Sequence, residues 1–141
     1  MRMVKRKLRE PLEDRKGSLF FDGFSVKELA EKYDTPLYVL SEKRIRDNYN
    51  HLHNALISNY KHLRIYYAAK ANSNLTVLRI LQSEGAYLDT VSPGEVFMGL
   101  SSGYTSDRIL FTGTSVRNDE LKMLADANIT VNVDSQSELD R

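Results

Sequence analysis

Ile65-Tyr66-Tyr67-Ala68-Ala69-Lys70-Ala71-Asn72-Ser73-Asn74 is the stretch on which the reading of this chain turns. Five of the six residues from Ile65 to Lys70 are apolar or aromatic, as expected of a short strand covered on both faces. The run ends on one lysine, and Asn72-Ser73-Asn74 then supplies side chains that cap a helix. Read as a strand over Arg64–Ala71, alternation puts Tyr66, Ala68 and Lys70 on one face and Ile65, Tyr67 and Ala69 on the other. A primary amine then sits at the carboxyl end of a parallel-type strand, where βα proteins carry their chemistry. A lysine there is either a solvated strand end, the ordinary fate of lysine, or an amine held among apolar and aromatic groups, the setting in which lysines attack carbonyls to form Schiff bases.

Downstream of this stretch a strand and a helix alternate. A helix is expected from about Asn74 to Glu84, with Leu75, Val77, Leu78, Ile80 and Leu81 apolar and Gly85 suited to its C′ position. A strand over Ala86–Val91 leads into Ser92-Pro93-Gly94-Glu95, with Ser at N-cap, Pro at N1 and Glu at N3 of a helix that stops near Gly103. Strand Arg108–Thr112 leads to a helix near Asn118–Ala127 with Asp119 and Glu120 in its first turn. Strand Ile129–Asp134 leads to another S-x-x-E start at Ser135-Gln136-Ser137-Glu138. Strands separated by helices imply a parallel sheet, and an eight-stranded βα barrel or a doubly wound sheet both fit. Neither G-x-G-x-x-G nor G-x-x-x-x-G-K is present, so no nucleotide-phosphate loop is recognisable. The helix opened at Ser135 has about one turn of chain left before Arg141, which reads as a truncation.

Upstream, Met1–Gly17 is rich in both basic and acidic residues and reads as a solvated lead-in; a nucleic-acid arm is disfavoured because acids interrupt the basic run and no aromatics interleave. Leu19–Gly23 reads as a short strand or turn, and Ser25-Val26-Lys27-Glu28 as a capping box opening a helix to about Tyr33. Asp34-Thr35-Pro36 breaks it, and Leu37-Tyr38-Val39-Leu40 reads as a compact apolar strand. Ser41 caps a further helix whose Ile45, Tyr49, Leu52 and Leu56 recur at helical spacing. His51 and His53 on that helix point in different directions and make a poor metal pair; His62 follows in a loop.

Composition bounds the function. The 141 residues carry a formal charge of +1, so no global field points to nucleic acid or a membrane. Cysteine is absent, which rules out disulfides and thiolate chemistry within these residues. No apolar run reaches transmembrane length and the basic N-terminus lacks the apolar core of a signal peptide, so a cytoplasmic protein is expected.

The words Tyr67-Ala68-Ala69-Lys70-Ala71-Asn72-Ser73-Asn74 resemble the lysine motif of the fold-type III, pyridoxal phosphate (PLP) dependent decarboxylases, the family of the ornithine, diaminopimelate and arginine decarboxylases. Further landmarks follow the family's order: Asp22-Gly23 with Glu28–Tyr33, Thr35–Val39, Asp89-Thr90-Val91-Ser92-Pro93-Gly94-Glu95, Phe111-Thr112-Gly113 and Asn132–Ser135. The resemblance covers roughly Phe20 to Arg141 and is strongest to the diaminopimelate branch. The Ala-Asn-Ser-Asn that follows Lys70 does not match the alanine racemases, and Ala71 stands where ornithine-type enzymes favour cysteine.

The resemblance implies an α/β fold, specifically the first four βα units of a (β/α)8 TIM-type barrel that is itself followed by a β-domain. On that basis 1–17 is the lead-in, 18–63 an N-terminal segment whose Leu37–Leu40 strand joins the β-domain, and 64–141 the first half of the PLP-binding barrel. It implies that Lys70 carries PLP as a Schiff base and later serves as a proton donor. Ala68 and Asp89 lie beside the cofactor, and Glu95 lies near it as well as capping a helix. The implied reaction of the full-length parent is decarboxylation of meso-2,6-diaminopimelate to L-lysine and CO2, the last step of lysine biosynthesis, in a homodimer with shared sites. The alternatives are decarboxylation of another basic amino acid (ornithine, arginine or carboxynorspermidine) and a non-enzymatic PLP-binding remnant. The family's phosphate loop, the acidic partner of the pyridine nitrogen and the substrate-binding residues are not within these residues, so the chain alone is expected to be inactive.

Overall fold

A computed structural model describes residues 10–141. The first nine residues, and with them about half of the charged lead-in, lie outside the described residues. Two compact units form, one ending at Arg44 and one running from Ile45 to Arg141.

In the first unit, β1 (Leu12–Arg15), β2 (Ser18–Phe21) and β3 (Phe24–Ser25) make an antiparallel sheet in that order. Both connections are two-residue turns, Lys16-Gly17 with φ of 55° and 86° and Asp22-Gly23 with φ of 50° and 85°. Such left-handed pairs match the twist of hairpin strands and explain the glycine at each second position. Asp14 Oδ1 accepts a hydrogen bond from the Gly17 N–H at 2.7 Å, which fixes the first turn. The end of the expected lead-in is therefore a strand. Helix α1 (Val26–Tyr33) starts where the capping box places it, with Ser25 Oγ accepting from the Glu28 N–H at 3.3 Å. Leu37–Leu40 differs from expectation: it forms no strand among the described residues, and Tyr38 is 97% exposed. An apolar segment becomes a strand only against a neighbouring strand's N–H and C=O groups, and none here pairs with it. Ser41 is buried; its hydroxyl accepts from the Arg44 N–H at 3.0 Å and donates to Asp22 Oδ2 at 2.6 Å.

Helix α2 (Glu42–Ile57) carries the chain into the second unit. There Tyr49 is buried and Ile45 packs beside it, while Leu52 is half-exposed; His53 stacks on Tyr49 with ring centroids 6.0 Å apart. Four strands follow: β4 (Tyr66–Ala68), β5 (Tyr87–Thr90), β6 (Ile109–Phe111) and β7 (Thr130–Val131). They are all parallel and lie in chain order. Between them run α3 (Leu75–Ser83), α4 (Pro93–Ser101) and α5 (Asn118–Asp126), and α6 (Gln136–Leu139) follows β7. The side-chain oxygens of Asn74, Ser92 and Ser135 cap α3, α4 and α6 as their sequence signatures require.

One face of the parallel sheet is covered by helices. Leu78 of α3, Val96 of α4 and Leu124 of α5 join Leu88, Ile109 and Phe111 of the strands in a single core, each at most 1% exposed. Full burial of each such side chain is worth roughly 1.5–3 kcal/mol. Two glycines admit close approach to this core. A Cβ on Gly99 would fall 2.5 Å from Leu88 Cδ2. One on Gly113 would fall 2.6 Å from the Phe111 ring and 2.9 Å from the Val91 carbonyl oxygen.

Helix α2 is tied to the end of α3 by polar contacts: Arg46 pairs with Glu84, and Asn50 Nδ2 donates to Glu84 Oε2 at 2.7 Å. Nearby, Arg108 donates through Nη2 to the Ala86 carbonyl at 2.9 Å and lies over the Tyr87 ring. The Tyr104 hydroxyl is buried with no hydrogen-bond partner among the described residues.

Candidate active site

The expected strand over Arg64–Ala71 is shorter in the structure. The ladder leaves β4 after Ala68, and Ala69-Lys70-Ala71 form one 3-10 turn. The cause lies in the residues that follow. Asn72 Oδ1 accepts from the Asn74 N–H at 3.0 Å, and Asn74 Oδ1 accepts from the Thr76 N–H at 2.9 Å, so two asparagine side chains turn the backbone into α3. The Tyr67 hydroxyl donates to the Asn72 carbonyl at 3.2 Å and pins the turn back to the strand. Burial holds the Tyr67 phenol above its ordinary pKa, so it remains a donor.

Lys70 thus stands in the turn immediately beyond the carboxyl end of β4, with its side chain exposed. The face alternation reads correctly as far as the strand goes. Tyr67 and Ala69 pack into the helix-covered core, whereas Tyr66 and Ala68 are on the opposite, partly open face. Register then sets the neighbours. Ala68 pairs with Asp89, Asp89 with Leu110, and Leu110 with Thr130, so these residues form one row across that open face. Asp89 is half-buried, and its Oδ1 accepts a 2.7 Å hydrogen bond from Thr112 Oγ1. Among the described residues, Lys70 and Asp89 do not form an ion pair.

Glu95 performs the capping role that its position predicts, with one change of partner. Its backbone N–H donates to Ser92 Oγ at 3.3 Å, while its Oε2 accepts from the Val91 N–H at 2.8 Å. The carboxylate thereby closes the turn at the end of β5, two residues beyond Asp89. Glu138 repeats the arrangement after β7, with Oε2 accepting from the Asp134 N–H at 3.1 Å. Thr112 was not singled out as a site residue by sequence reasoning. The available signal was period two: Thr112 follows Leu110 on the face that carries Asp89.

The exposed Lys70 in the turn beyond β4, Ala68 in register with Asp89, and the Asp89 carboxylate tethered by Thr112 thus lie at the carboxyl ends of neighbouring parallel strands. Residues 42–141 match the family described as "Pyridoxal-dependent decarboxylase, pyridoxal binding domain", and the chain belongs to that family. A diaminopimelate decarboxylase of Methanothermobacter thermautotrophicus is 49% identical over 124 residues, which is 88% of this chain and 29% of that protein. The structure of a diaminopimelate decarboxylase of Methanocaldococcus jannaschii in complex with L-lysine is 40% identical with a TM-score of 0.87, matching 93% of this chain and 31% of its own. A structure from Aquifex aeolicus is 38% identical with a TM-score of 0.84, over 92% of this chain and 32% of that one. The chain therefore spans about a third or less of the length of the relatives it matches.

Proposed function

We propose that the complete protein carrying this chain is a PLP-dependent decarboxylase that converts meso-2,6-diaminopimelate to L-lysine and CO2, and that this chain is its cofactor-holding portion. The observation that carries the reading is the placement of Lys70: a single exposed amine in the turn after β4, with Ala68 and Asp89 in register on the adjoining face. The similarity to diaminopimelate decarboxylases over most of the chain supports this substrate over other amino acids.

The donor set fits a flat aldehyde-bearing ring. Lys70 Nζ would hold the aldehyde covalently, and the Ala68 methyl leaves the face beneath it low. Asp89 would set a negative charge beside the cofactor and keep a proton on the neighbouring nitrogen. When bound, PLP supplies an electron sink for the pair left by the departing carboxylate. Lys70 Nζ, exposed in the turn after β4, would also be placed to carry a proton at that site. Glu95 would act by holding the turn at the end of β5 through the Val91 N–H.

The one-sided helical cover and chain-order parallel strands fit the first four units of a (β/α)8 barrel better than a doubly wound sheet, which would need helices on both faces. On this reading β4 and β7 are joined by later strands, 18–63 supplies Leu37–Leu40 to a β-domain, and the enzyme is a cytoplasmic homodimer. No helix among the described residues is long and apolar enough to cross a membrane.

The test is borohydride reduction of the complete protein with PLP, followed by peptide mapping, alongside CO2 release from diaminopimelate, ornithine and arginine. The label is expected on Lys70, with Lys70→Ala losing both label and turnover. A label on another lysine would sink the site assignment; turnover of ornithine or arginine in preference to diaminopimelate would replace the substrate. Labelling without turnover of any amino acid would mark a PLP carrier.

A further inference from the structure

We infer that Thr112 is a positioning residue for the cofactor site: its hydroxyl fixes the Asp89 carboxylate so that the other carboxylate oxygen is the one presented to the cofactor. The inference rests on the reading above for the role of Asp89, and on three observations of its own.

First, the contact is short and specific, Thr112 Oγ1 to Asp89 Oδ1 at 2.7 Å, the distance of a charge-assisted O–H···O bond. A threonine hydroxyl has one proton to donate, so it holds one oxygen of Asp89 and leaves the second without a claim from Thr112. Second, the hydroxyl is carried on a fixed backbone. The Thr112 N–H donates to the Thr90 carbonyl at 2.8 Å, one position beyond β6, and β-branching restricts its χ1. Third, the row geometry puts Asp89 between two neighbours of different kind. On one side β4 presents Ala68, too small to touch a carboxylate oxygen laterally, and on the other β6 presents Leu110. Neither side chain offers a hydrogen bond, so among the described residues it is Thr112 that restrains the half-buried carboxylate about χ2. Gly113 follows at once, buried and packed under the Val91 carbonyl, so the chain past Thr112 is held close to the turn that ends β5.

The experiment compares Thr112→Val, which removes the donor and keeps the branched shape, with Thr112→Ser, which keeps the donor. Each is made in the complete protein and again in an Asp89→Asn background. The readouts are the balance of protonated to unprotonated cofactor absorption bands at one fixed pH, and kcat separately from KM. In the native background Thr112→Val is expected to shift the band balance and lower kcat, each on the order of tenfold, the scale of a hydrogen bond to a charged group. KM should change little, and Thr112→Ser should recover most of the loss. In the Asp89→Asn background Thr112→Val should add nothing, because the pair acts as a unit.

A Thr112→Val protein with native bands and kcat, while Asp89→Asn alters both, would overturn the positioning role and leave the site reading standing. The positioning role fails equally if Thr112→Val has the same effect in both backgrounds, or if Thr112→Ser is as impaired as Thr112→Val. Native bands and rate in Asp89→Asn itself would remove Asp89 from the cofactor site and this inference with it, while Lys70 labelling would still report separately on the lysine.

Discussion

Replacing Gly113 by alanine should destabilise the protein by about 1–2 kcal/mol. The added Cβ would sit 2.6 Å from Cε1 and Cζ of Phe111 and 2.9 Å from the Val91 carbonyl oxygen. Real Cβ atoms do not occupy such positions, so something must move. Phe111 is 1% exposed and packed in the main core, so its ring yields only by displacing core neighbours. The Val91 oxygen is backbone, at the turn that Glu95 closes through the Val91 N–H. Overpacking of this kind costs typically 1–3 kcal/mol, and restricting the unfolded chain returns about 0.4–1 kcal/mol. Gly94 is the control: it is exposed, and its added Cβ would meet only Ser92 Oγ at 3.9 Å. Gly94→Ala lies in the first turn of α4 and should be neutral or stabilising by up to about 1 kcal/mol. The assay is urea unfolding of both variants in the complete protein, comparing midpoints at unchanged m-value. A Gly113→Ala midpoint at or above the native one would refute the packing argument, as would a Gly94→Ala loss of equal size.

Two further outcomes are expected from the polar contacts of the second unit. Hydrogen bonds from Arg46 and Asn50 hold the Glu84 carboxyl below its ordinary pKa. A depressed folded-state pKa gives stability that is present above the unfolded value, about 4.3, and lost as pH falls through the folded value. The stability gap between native protein and Glu84→Gln should therefore close on acidification below about pH 4; a gap independent of pH would contradict the assignment. Tyr104 is 3% exposed with a hydroxyl that has no partner among the described residues, and burial pushes its phenol well above the ordinary range. Tyr104→Phe removes a buried group that gains nothing from hydrogen bonding, so melting should show it neutral or stabilised by about 1 kcal/mol; a loss of that size would mean the hydroxyl has a bonded partner.

The second unit was legible because its signals are local. Ser92-Pro93-Gly94-Glu95 and Ser135–Glu138 each satisfy their own helix starts within four residues, and the structure keeps those hydrogen bonds. What was less legible depended on neighbours. Leu12–Arg15 was hidden by its charges, although the glycine at position 17 marks the hairpin that makes it a strand. Leu37–Leu40 has strand composition but no strand to pair with among the described residues. The end of β4 was misplaced because asparagine side chains and the Tyr67 hydroxyl, which no periodicity captures, take over from the ladder there. Lys70 and Asp89 could be nominated from the strand pattern and the family resemblance, but the tether from Thr112 needed the register of β5 against β6.

That register also bears on how the chain is made. The row Ala68, Asp89, Leu110 and Thr130 advances by 21, 21 and 20 residues, so each strand docks on the one synthesised just before it. Contacts so close in sequence are closed at small entropic cost and suit stepwise growth as the nascent polypeptide emerges from the ribosome. Each step, however, leaves the newest strand with an unpaired edge until the next arrives. A pause in translation after β5 or β6 has emerged and before its successor does would hold that edge open to misassembly or chaperone capture, which makes synonymous codons in this region a place where synthesis speed alters the yield of folded protein.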